Sequence, residues 1–170
     1  MLKHNLLQHG SEHQTSNFGE PRDNGPHKGT DWVSHAGLPG PDKIVAPFPG
    51  KVTELRNNIP GISTKNATGN YVLRDLGWGF TDRFYHMKQQ SVQVYVGQQL
   101  NEKDVIGTMG YTGHCIPPNV NGTHLHYELR KNGVPIDPLP YLMGTKTIGP
   151  ATTTPIPQPM LTNTQVAEQI

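Results

Sequence analysis

Thr123-His124-Leu125-His126-Tyr127-Glu128 reads as a β-strand with two histidines on one face. Side chains two apart in a strand project together. His124 and His126 therefore share a face, while Leu125 and Tyr127 take the other. Two neighbouring imidazoles suit a core poorly: protonated they repel, and buried neutral each needs a hydrogen-bond partner. A shared metal or a shared catalytic task meets both demands. The plain alternative is a pair of solvated histidines on an exposed strand.

The same alternation and punctuation run through the middle of the chain. Lys43–Ala46, Gly50–Leu55, Asn70–Leu73, Asp82–His86 and Val105–Met109 are short runs bounded by Gly, Pro or Asn, and His124–Leu129 continues the histidine strand. Ser91–Val96 places Val92, Val94 and Val96 opposite Ser91, Gln93 and Tyr95, the pattern of a half-buried strand. No segment offers a capped helix of ten or more residues, and no repeat of 20–50 residues is visible. The expected fold is all-β and mainly antiparallel.

Three regions differ in texture. Residues 1–14 are polar apart from Leu6-Leu7 and read as a leader or a first short strand. Residues 15–144 carry the β pattern. Residues 145–170 are rich in Thr and Pro and read as a linker or disordered tail, suited to tethering a targeting or virion module.

Composition narrows the function classes. Net charge is +1 over 170 residues, so no concentrated basic face argues for nucleic acid. No apolar stretch approaches the roughly 18 residues of a membrane span. Apolar content is 33%, with 19 Gly and 16 Pro; strand-forming runs favour a turn-rich β protein over disorder. The single cysteine, Cys115, excludes an internal disulfide framework. Beside Pro117 and Pro118 it reads as a bystander.

Nine histidines raise the question of a metal. In Pro26-His27-Lys28-Gly29-Thr30-Asp31, glycine and proline disfavour a helix. In extended chain, His27 and Asp31 then share a face. Imidazole with carboxylate is zinc chemistry, with bonds near 2.0–2.2 Å. His27, Asp31 and one of His124 or His126 make three protein ligands and leave a fourth position for water, the pattern of a catalytic zinc site. The remaining histidine, with His86 of Phe84-Tyr85-His86-Met87, would lie beside that water. Zinc brings the pKa of such water to about 7, and a histidine exchanges protons in that range.

With these segments in hand, the sequence resembles the LytM/lysostaphin-type zinc endopeptidases, peptidase family M23. The resemblance runs in order from about Thr15 to Tyr141. It includes Ser16-Asn17-Phe18-Gly19, His27-Lys28-Gly29-Thr30-Asp31, Val45-Ala46-Pro47, Gly69-Asn70-Tyr71-Val72 and Tyr85-His86-Met87. Val105-Ile106-Gly107, Gly110-Tyr111-Thr112-Gly113, His124-Leu125-His126-Tyr127-Glu128 and Val134-Pro135-Ile136-Asp137-Pro138 complete it. The resemblance implies that His27, Asp31 and His126 hold one Zn²⁺ per chain, with His86 and His124 as catalytic helpers. It implies a β-sheet groove walled by loops, and peptidoglycan peptides as substrate. The stretch 114–122 is longer than the Ser/Thr-Gly link this resemblance leads one to expect; it is expected over the groove, with His114 a candidate substrate contact.

Among the remaining residues, His4, His9 and His13 lie in the polar leader, and His35 reads as a surface residue. Glu128 shares a face with His126 but reads as a solvated strand end, and Tyr85, next to His86, as core. The chain is expected to act as a monomer on the cell wall. It carries no apolar secretory segment, so lysis, a phage particle or a missing N-terminal segment would deliver it. An inactive wall-binding or activator relative is one alternative. A biotinyl- or lipoyl-carrier-like barrel is another, but the attachment lysine in its tight hairpin is missing.

Overall fold

Along Asn70–Gly77, buried and more exposed side chains alternate without a break, so one face of that strand must be covered. A computed structural model describes residues 1–8, 12–34 and 42–150. Among them the chain forms strands β1 (Glu12–Ser16), β2 (Thr30–Ser34), β3 (Lys43–Val45), β4 (Gly50–Arg56), β5 (Asn70–Gly77), β6 (Phe80–Met87), β7 (Gln99–Leu100), β8 (Val105–Thr108), β9 (Leu125–Lys131) and β10 (Val134–Ile136). One short helix, α1 (Leu139–Leu142), follows. The main sheet runs β1-β2-β9-β6-β5-β4-β7, with β10 pairing the end of β9, and β3 pairs β8 in a small second sheet. Every strand pair is antiparallel. The all-β expectation holds.

The period-two rule sorts β9 cleanly. Leu125, Tyr127 and Leu129 are fully buried on the core face, where Tyr127 packs on Phe84. A buried Arg74–Asp82 pair lies under the same face, and the Tyr127 hydroxyl donates to Asp82 at 3.1 Å. His126, Glu128 and Arg130 take the opposite face, which becomes the floor of the site.

One expectation needs correction, and one strand had no expectation. Ser91–Val96 is not a strand. Val94 is buried and Val96 is 59% exposed, and the backbone N–H of Val92 goes to the Asn57 side chain. The alternation there corresponds neither to strand pairing nor to burial of all three valines. Conversely, Thr30–Ser34 is a strand that composition did not flag.

Leu6 and Leu7 are fully buried in the core, and the Leu6 carbonyl accepts from Val45 N–H at 2.9 Å. Leu6→Ala is expected to cost roughly 2–5 kcal/mol, read from urea or thermal midpoints. A change below about 0.5 kcal/mol would mean that the segment does not pack this way in solution. At the other end, Ile148 packs on the core. Residues 151–170, with His9 and His35, lie outside the described residues.

Candidate metal and catalytic site

Register brings the first two groups together. Asp31 of β2 sits directly opposite His126 of β9. His27 lies in the loop entering β2, and that loop can hug β9 because residue 29 is glycine. A Cβ there would lie 2.3 Å from the Tyr127 carbonyl oxygen.

Three donor atoms meet on this face. His126 Nδ1 is 2.8 Å from Asp31 Oδ1, His27 Nε2 is 3.2 Å from the same oxygen, and the two nitrogens are 3.0 Å apart. All three residues are buried. Each outward atom is already committed. His27 Nδ1–H donates to the Asn17 carbonyl at 2.8 Å. His126 Nε2–H donates to Glu128 at 3.3 Å. Arg22 donates to Asp31 Oδ2 at 2.7 Å. In the tautomers these contacts select, three lone pairs face one another, which is a cation's environment. Ligands at zinc distances in a tetrahedron stand roughly 3.3–3.6 Å apart, so the group needs to open only slightly to fit such an ion.

A cation and a proton compete for these same atoms. Burial alone would raise the Asp31 pKa, but where His126 and His27 carry their protons toward it, their hydrogen bonds reverse this and hold it well below the usual carboxylate range. Burial pulls His126 down, and its bonds to Asp31 and Glu128 more than compensate, leaving it raised.

His86 and His124 flank this group. His124 Nε2 is 3.9 Å from Asp31 Oδ1, and the His86 and His124 rings lie 4.7 Å apart. Each spends Nδ1–H on a backbone carbonyl, His86 on Thr112 and His124 on Gly122, both at 2.8 Å. Nε2 is then the free nitrogen of both. Burial, with the neighbouring His124 adding to it, pushes the His86 pKa down to about 3; burial also lowers His124.

His86 reaches the site through an irregularity. Val72 pairs with Phe84 and Asn70 with Met87, so β6 carries one extra residue at Tyr85-His86, a β-bulge. His86 adopts φ 62°, the left-handed region uncommon for non-glycine residues. The bulge also corrects the reading of Tyr85. Its ring stacks on His126 at 5.4 Å and 5°, on the site face and not in the core.

Glu128 needs the same correction. It is 4% exposed and held by Arg130 at 2.7 Å, not solvated. His114 is exposed at the rim of the cavity that contains the five central residues. Arg22, in a loop without pattern, gave no sequence signal. His4 pairs with Glu102, and His13 is exposed on β1.

ShyA, a peptidoglycan DD-endopeptidase of Vibrio cholerae serotype O1, is 32% identical over 112 residues, 66% of this chain and 22% of that one. The chain spans only 20–23% of the length of such curated relatives. The catalytic domain of lysostaphin from Staphylococcus simulans shares the fold, with a TM-score of 0.62 and 22% identity over 82% of this chain and 98% of that one. A zinc-containing peptidase from Vibrio cholerae does so at a TM-score of 0.61 and 23% identity, over 80% and 37% of the respective chains. The sequence profile of peptidase family M23 matches residues 25–138, and with two thirds of its length inside that match the chain belongs to peptidase family M23.

Proposed function

We propose that this chain is a zinc-dependent endopeptidase that hydrolyses peptide bonds in bacterial peptidoglycan. His27 Nε2, Asp31 Oδ1 and His126 Nδ1 would hold one Zn²⁺. The observation that carries this is their convergence within 3.2 Å with every outward atom already bonded. The family, and the activity in the name of ShyA, support the substrate class. The site of action is then the cell wall.

When bound, zinc acts as a Lewis acid and makes water a nucleophile near neutral pH. The chain's residues supply the rest. Arg22 and Glu128 fix the orientation of Asp31 and His126. His86, kept neutral by burial, presents Nε2 as an acceptor for a proton of the attacking water. His124 presents Nε2 on the Asp31 side, and the proton taken from the water passes by way of it to the departing amine, so no other proton source is needed. His114 stands at the rim, within reach of a bound peptide.

Glu128→Ala should weaken zinc affinity roughly 10–100-fold, the usual size for a partner that orients a ligand. Competitive chelator titration measures it; unchanged affinity would leave Glu128 only its tie to Arg130. For the activity itself, purified walls with direct and glycyl cross-links would be digested and the fragments weighed by mass spectrometry. New amino and carboxyl termini within the peptide part are expected. Intact peptides from every wall would overturn the reading.

A further inference from the structure

Cys115 has no part in the proposed zinc group. Cys115 is 3% exposed and lies against the two helper histidines. His86, Cys115 and His124 each offer a ligand atom, and these atoms lie within 4.8 Å of one another. Both histidines spend Nδ1 on backbone carbonyls. The Nε2 of His86, a residue 8% exposed, has no hydrogen bond to a described residue. The Cys115 thiol has only a long contact, 3.7 Å, to the Thr112 carbonyl.

We propose that His86, Cys115 and His124 form a second, inhibitory metal site for a thiophilic divalent cation such as Cd²⁺ or excess Zn²⁺. The proposal rests on the reading of His86 and His124 as the helpers of the peptidase reaction. Two imidazoles and a thiolate are a soft donor set that selects zinc-like ions over Mg²⁺ or Ca²⁺. Ligated tetrahedrally, these atoms would stand roughly 3.3–3.6 Å apart, so the group must close by about an ångström. Burial pushes the thiol pKa up to about 12, so without metal it stays protonated. On coordination its proton passes to the buffer, and uptake strengthens as pH rises. The ion takes the Nε2 lone pairs of both helpers, so it inhibits without displacing metal from His27, Asp31 and His126.

The test adds Cd²⁺ to the full chain loaded with one equivalent of zinc. Uptake is followed by equilibrium dialysis and by the ultraviolet thiolate-to-cadmium charge-transfer band. One further ion per chain, with the band, and activity falling in step are expected. Cys115→Ser should keep the basal rate, lose the band and need at least roughly tenfold more Cd²⁺ for inhibition, since even changes beyond the ligands cost that much. His86→Ala and His124→Ala should each weaken the band's titration. No band in the wild type, an unchanged inhibition curve in Cys115→Ser, or a band indifferent to both histidines would overturn the proposal. Should Cys115→Ser fail a thermal-melting check, the wild-type band and its histidine dependence decide alone. His126→Ala separates the two readings: it should strip the zinc yet keep the cadmium band. Zinc retained in His126→Ala would count against the peptidase ligand set and not against this site.

Discussion

Asp31→Ala and His126→Ala chains are expected to purify without zinc and to cleave wall peptides at roughly 10⁻⁴ of the wild-type rate or less. Lewis-acid stabilisation is worth several kcal/mol, and each 1.4 kcal/mol is about tenfold in rate. Both residues contribute an atom to the three-donor group, so losing either leaves two ligands. A chelator should reproduce the effect in the wild type, and added Zn²⁺ should restore it there but not in the variants. Metal analysis alongside a peptide-release assay checks both halves. A zinc-free chain that cleaves at full rate would end the metallopeptidase reading.

His86→Ala and His124→Ala should behave differently. Neither belongs to the group of His27, Asp31 and His126, so about one zinc per chain should remain. Activity should fall roughly 10²–10⁴-fold, the span of a proton-transfer or electrostatic contribution. The double variant should lose less than the product of the two single losses, because the helpers serve one reaction. The decisive comparison is along the histidine strand. If His124→Ala strips the zinc and His126→Ala keeps it, the two roles are reversed.

Much of this site was legible because β-strand alternation is local. His126 faces away from Leu125 and Tyr127 whatever the rest of the chain does. Tyr85 and His86 were harder for a physical reason: a count of two fails once a strand carries an extra residue, and the bulge shows only when β6 is laid beside β5. Glu128 was placed on the correct face but in the wrong medium. Its burial depends on Arg130, two residues on and on that face, which neutralises it. Arg22 meets Asp31 only after the loop has folded. Ser91–Val96 shows the opposite failure: a strand pattern without a ladder, its N–H groups divided between the Asn57 and Gln98 side chains and isolated backbone carbonyls of Lys88 and Ile106.

The left-handed backbone at His86 sets activity against robustness. Residues held in such conformations cost of order 1–3 kcal/mol each and persist only where their surroundings over-determine them. Here the His86 N–H is tied to Thr68 at 3.0 Å and the ring to Thr112. Glycine or asparagine would sit more easily at that φ, but neither carries an imidazole. A library screened for thermostability alone would therefore tend to discard His86, enriching hardier scaffolds that can no longer cut. Directed evolution of this chain must select for turnover at position 86 even when heat resistance is the goal.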